Sequence, residues 1–182
     1  MKKMKVLLAA VLTISTVLGS AVPTYAAATD VKIEVKATTM DNVSVTVPTV
    51  LPIVFNEDGS NTLPTNWTIE NKSTIAGIHL SKIDMNAQNT GWKLLALSEN
   101  AKELPVDTKS IKFSVGKTGA LKLVTPTTGT ENASGSVTFN AEEIAIPSGQ
   151  TQVLSFGVER GAFTETEASA KAFDMVLTFN FN

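Results

Sequence analysis

Val31-Lys32-Ile33-Glu34-Val35-Lys36 places an aliphatic residue at every odd position and a charge at every even one. Side chains of an extended chain point alternately to two faces, so this stretch has one apolar face and one charged face. A helix would scatter the same residues around its circumference. The pattern therefore predicts a half-buried β-strand. Val43, Val45 and Val47 repeat it, with Ser44 and Thr46 between them. Residues 67–69, 78–83, 111–115, 120–124, 137–139, 153–158 and 173–181 read the same way.

Turn signals separate these runs. Asn56-Glu57-Asp58-Gly59 is a polar tip after Ile53-Val54-Phe55, and Gly116-Lys117-Thr118-Gly119 reads as a hairpin loop. Pro147-Ser148-Gly149-Gln150 does the same before Val153, and the Thr-, Gly-, Asn- and Ser-rich stretch 125–136 reads as a long exposed loop. Only 164–172 combines helix formers with early acidic residues, and one short helical turn is expected there. Many short strands at roughly ten-residue spacing predict an all-β chain. The expected form is an antiparallel β-sandwich of Ig-like or Greek-key type, with about nine to eleven strands.

The chain begins differently. Lys2, Lys3 and Lys5 precede a mostly apolar run over 6–18, and Gly19, Ser20 and Pro23 end it before Thr24-Tyr25-Ala26. A basic start, a short apolar segment and small residues at the cleavage positions are the marks of a secretory signal peptide. The run is too short for a stable membrane span. The expected division is a signal peptide over 1–26 and one sandwich domain over 27–182, with Ala28 the second-choice cleavage point.

The leader holds three of the fifteen basic residues and none of the seventeen acidic ones, which leaves the exported part at a net charge of about −5. Dispersed, mildly acidic charge gives no footprint for nucleic acid or an anionic membrane. The chain has no cysteine, which excludes disulfides and a Cys-linked lipid anchor. Stability must come from packing. Cysteine-free export suits a Gram-positive surface, the compartment expected here. The last residues, 177–182, read as a strand, with neither a stop-transfer run nor an LPxTG motif. The expectation is a protein secreted, or held at the cell surface non-covalently.

Residues able to carry chemistry are few. His79 is the one histidine, and it lies between Ile78 and Leu80 on what should be a solvent face. A metal site would need further His or Cys ligands, and no Gly-x-Ser-x-Gly elbow is present. Glu142 and Glu143 would point to opposite faces of a strand, and Glu165 and Glu167 lie in a polar stretch. Glu57-Asp58-Gly59 has only half the pattern of a calcium loop. Solvated charge is the expected state of all of these. No catalytic, cofactor or metal residue is assigned, and the chain is not expected to be an enzyme.

Trp67 shares strand parity with Ile69, and Trp92 with Leu94. Core packing is expected for both, and Phe113, Phe139, Phe156, Phe179 and Phe181 sit at inward parity. Asn66-Trp67-Thr68, Asn71-Lys72-Ser73 and Asn132-Ala133-Ser134 match the N-glycosylation pattern, which arises easily by chance.

The series Val43-Ser44-Val45-Thr46-Val47-Pro48, Leu51-Pro52-Ile53, Asp58-Gly59, Trp67-Thr68-Ile69-Glu70-Asn71-Lys72-Ser73 and 78–83 resembles secreted β-rich proteins of Gram-positive Firmicutes. Gly91-Trp92-Lys93-Leu94 looks like the first Trp-x-Leu element of the WxL surface domain. The family carries a second such element near its C-terminus, where 173–179 here has no tryptophan. The resemblance implies a β-rich fold and non-covalent attachment to peptidoglycan, with Trp92 and Leu94 as the wall-binding positions.

Two functions follow as expectations. The first is a non-enzymatic structural or adhesive surface protein, self-assembling in its sharper form. The second is a peptidoglycan- or carbohydrate-binding module of WxL type. Expected partners are cell-wall polysaccharide, other surface proteins, or a second copy through strand addition. The two terminal strands, 27–36 and 174–182, are the candidates for that addition. Completion of the chain's own sheet is the more ordinary use of them.

Overall fold

Two β-sheets face each other across one apolar core in the computed structural model, which describes residues 29–38, 43–87, 89–128, 131–164 and 170–182. The expected signal peptide lies outside these residues. Among the described residues there are fourteen strands: β1 (Thr29–Thr38), β2 (Val45–Thr46), β3 (Val50–Phe55), β4 (Asn61–Thr62), β5 (Trp67–Asn71), β6 (Ile78–Asn86), β7 (Lys93–Leu94), β8 (Ser110–Lys117), β9 (Ala120–Leu123), β10 (Thr125–Pro126), β11 (Ser134–Thr138), β12 (Ala145–Ile146), β13 (Thr151–Arg160) and β14 (Ala170–Phe181). The all-β class is as expected, and the strand count is higher. Five of the fourteen are two-residue strands, too short for a period of two to mark.

The larger sheet runs β10-β11-β6-β14-β1-β3-β4, with β12 beside β6, and the smaller runs β2-β5-β13-β8-β7, with β9 beside β8. Most pairs are antiparallel. β1 with β14, and β7 with β8, are parallel. The first and last strands thus lie side by side in mid-sheet, each with a partner on both edges.

Alternation sets the core. β1 turns Val31, Ile33 and Val35 inward, all at most 5% exposed, and β3 adds Leu51, Ile53 and Phe55. Phe173, Met175, Leu177 and Phe179 of β14 continue that layer. The facing sheet supplies Trp67 and Ile69 from β5, Ile111, Phe113 and Val115 from β8, and Leu154 and Phe156 from β13. At about 25 cal/mol per Å² of apolar surface, burial on this scale is the main term that opposes chain entropy.

Two irregularities keep the pattern in phase. β6 buries Ile78 and Leu80, then Ile83 and Met85, which breaks the period of two. The register with β14 shifts between Thr178 and Phe179, so Ser81 is the extra residue of a bulge. Its Oγ donates to the Thr178 carbonyl at 2.9 Å. A second shift, where β1 passes from Lys32 to Ile33, leaves Ala172 unpaired with β1, and Ala172 and Phe173 are both buried.

Three expectations need correction. Ala170, Lys171 and Ala172 open β14 instead of closing a helical turn, while 165–169 lie outside the described residues. The stretch 125–136 is not one loop, since Thr125–Pro126 pairs with Ser136 and Gly135 of β11. Phe181 has inward parity but is 42% exposed, because it is the last residue of β14 and pairs with Ile78, the first of β6.

Candidate functional site

The chemistry-bearing residues are spread over the surface. His79 is half-buried on the outer side of β6, its Nδ1 2.9 Å from Asn182 Oδ1. Glu142 and Glu143 lie in a turn, not a strand. Glu143 pairs with Lys122 at 2.6 Å. That ammonium first, and the Asn140 N–H second, hold its carboxyl below the usual range. The Asp58 carboxyl is also lowered, by the hydroxyl and then the N–H of Ser60, so this half-pattern of a calcium loop is a closed turn. Glu165 and Glu167 lie outside the described residues. Lys171 bridges Glu34 at 2.6 Å and Asp174 at 2.9 Å, and the two carboxylates raise its pKa, Glu34 most. Among the described residues, no three His, Cys, Asp or Glu side chains converge as a metal site.

Trp92 and Leu94 stand where one end of the sandwich is closed. Trp92 is 2% exposed and Leu94 fully buried. The indole meets the rings of Phe55, Phe163 and Phe173 at centroid distances of 6.1, 5.9 and 6.4 Å. Leu94 donates its N–H to the Asn132 carbonyl at 2.8 Å, and its Cδ1 lies 2.7 Å from where a Cβ on Gly135 would stand. That Cβ would also stand 2.6 Å from the Thr125 carbonyl oxygen, so Gly135 makes room for β10 as well as for Leu94. Four residues with positive φ surround this end: Asn89 at 65°, Gly91 at 78°, Glu131 at 48° and Asn132 at 62°. They fold the loops back over the indole and leave a hollow of about 310 Å³ outside it. A sugar platform needs an open ring face, and Trp92 does not present one. Trp67 is 3% exposed, edge-on to Phe156 at 5.5 Å, and its Nε1 donates to the Val50 carbonyl at 3.3 Å.

The residues that sequence reasoning missed are polar and buried. Arg160 is the chain's single arginine and is 5% exposed. Its Nε donates to Asn61 Oδ1 at 3.0 Å, its Nη1 to the Gly161 carbonyl at 3.0 Å, and its Nη2 to the Asn56 carbonyl at 2.9 Å. The guanidinium also lies over Phe55, 4.7 Å from the ring centroid. It staples the β3–β4 hairpin to β13. Its parity matched Leu154 and Phe156, and that was the available signal. Asn71 is fully buried too. Its Nδ2 donates to the carbonyls of Ala76 and Ile146, and its Oδ1 accepts from the Ser73 N–H. The sequon at Asn71 is therefore closed to modification in the folded chain.

The outer face of the smaller sheet carries an apolar hollow. Its floor is Ser114 and Gly157, which face each other between β8 and β13. Leu97 at 79% exposure and Leu121 at 41% wall it, together with Leu123. Lys112 closes one end, 3.8 Å from Glu159 and 3.1 Å from the Leu97 carbonyl. The groove measures about 550 Å³. Its leucines suit contact with an apolar partner surface, while Ser114 and the Lys112–Glu159 pair are the polar groups of its lining.

Comparison with known proteins gives no match for this chain among family models, curated proteins or solved structures.

Proposed function

We propose that this chain is an exported, non-catalytic structural or adhesive protein of the cell surface. The observation that carries the reading is the leucine-walled groove on the outer sheet face. Leu97 and Leu121, exposed beside a Gly/Ser floor, offer an apolar contact surface on a rigid scaffold. The basic, apolar and small-residue segments of 1–26 support export.

Fractionation of cells that express the full chain tests this. The account expects the protein in the surface fraction or the medium, with Ala27 as its first residue by N-terminal sequencing. Recovery in the cytosol with the leader intact would overturn the export reading. A panel of glycan and peptide substrates should show no turnover by the purified protein, and reproducible hydrolysis would overturn the non-catalytic reading.

A further inference from the structure

We infer that the open edge of β9 takes up an extended peptide segment with apolar side chains at alternate positions, added as one more strand of the smaller sheet. This names the partner of the leucine-walled surface described above and rests on that reading.

β9 is an inverted strand. Leu121 and Leu123 face outward into the groove, while Lys122 faces inward, 2.6 Å from Glu143 and over the ring of Phe139. A strand that served only to close the core would carry the opposite order.

Backbone pairing leaves the same two leucines open. Residues of an antiparallel strand send their N–H and C=O groups alternately to the two sides. The Val124 N–H donates to the Phe113 carbonyl of β8 at 2.8 Å. Lys122 and Ala120, opposite Val115 and Lys117, therefore bond to β8 as well. Leu121 and Leu123 turn their groups to the far side, where no partner stands among the described residues. Two N–H and two C=O groups repeat there at about 7 Å along one line. Another extended backbone matches that spacing, and the mode of recognition is strand addition.

Other uncovered stretches of edge are closed by side chains. On β3, the Val50 carbonyl accepts from the Trp67 Nε1–H at 3.3 Å, and Pro52 has no N–H to offer. On β11, the Thr138 carbonyl accepts from the Lys122 ammonium at 3.3 Å. Sheets block their edges in such ways, and an inward lysine is one of them. Lys122 does not block β9, because Glu143 already neutralises it and an added strand buries no unpaired charge. The side chains of that strand stand in two rows. Those beside Leu121 and Leu123 are apolar and extend the outer surface, and those between them meet Lys122 and Glu143 and are polar.

The probe is an acetylated and amidated Thr-Val-Thr-Val-Thr peptide, titrated into the purified full chain. Amide exchange is read residue by residue. At saturation the Leu121 and Leu123 amides should exchange about tenfold more slowly, while the Lys122 amide, already bonded to β8, keeps its rate. The same peptide N-methylated at both valines lacks the donors for this pairing and should change nothing. Leu121→Pro removes one donor on the open side, which an edge strand accepts. It should abolish the protection of Leu123 and keep the denaturation midpoint. Unchanged exchange at Leu121 and Leu123 in millimolar peptide would overturn the proposal, as would equal protection by the N-methylated peptide. Changes confined to Ser114 and Gly157 would overturn it too, and would leave the groove floor as the contact surface. Export is tested by fractionation, so failure here leaves that reading standing.

Discussion

Trp92→Ala is expected to lower the stability of the folded chain by about 3–5 kcal/mol. The indole is fixed among Phe55, Phe163 and Phe173, which come from β3, the segment after β13, and β14. Truncation leaves a cavity at the meeting point of both halves of the chain, and three rings lose their common neighbour. A domain of this size has about 5–15 kcal/mol in total, so the loss is a large share of it. Trp92→Phe, which keeps a ring in place, should cost less. Guanidinium denaturation of the variants reads the effect as a shift in midpoint. The same experiment separates the core role from wall binding. An alanine variant with unchanged midpoint and lost affinity for purified cell wall would show Trp92 to be a surface group.

Arg160→Met is expected to destabilise by about 3 kcal/mol. The guanidinium serves Asn61, Gly161 and Asn56 at once and lies over Phe55. Methionine fills part of the volume, but it leaves the Gly161 carbonyl and Asn61 Oδ1 short of a donor, while the Asn56 carbonyl keeps the Gly59 N–H at 3.1 Å. Burying an acceptor without its partner is the dominant cost. Arg160→Lys keeps the charge and loses the planar fork, so it should fall between wild type and the methionine variant. Chemical denaturation of both variants checks the order. A lysine variant as stable as wild type would show that charge alone matters at this position.

Most strands of four or more residues follow one rule, while β3 and the first three residues of β11 were not legible from it. An apolar row on one face and a polar row on the other suffices for β1, β6, β8, β13 and β14, and it also placed Trp67 and Trp92 inside. The rule failed where local geometry intervened. The bulge at Ser81 shifts the phase of β6, so inward positions pass from Leu80 to Ile83. Phe181 has inward parity but occupies the last position of its strand, where burial falls away. The residues 170–172 had helix propensity, and pairing of β14 with β1 overrode it. Asn71 and Arg160 escaped notice because polar side chains count as outward in a two-letter pattern. Their burial depends on partners distant in sequence: Ile146 for Asn71, and Asn56 and Asn61 for Arg160. The groove walled by Leu97 and Leu121 is likewise a product of tertiary neighbours.

The fold rests on the alternating segment 31–36 being an interior strand, paired with β14 along its whole length and with β3 from Val31 to Glu34. Amide hydrogen exchange on the purified protein tests it most directly. The amides of residues 31–34 should be protected to the same degree as those of β6 and β14, since global opening is needed to release them. Exchange of the β1 amides at the rate of an exposed terminus, with β6 and β14 still protected, would contradict it.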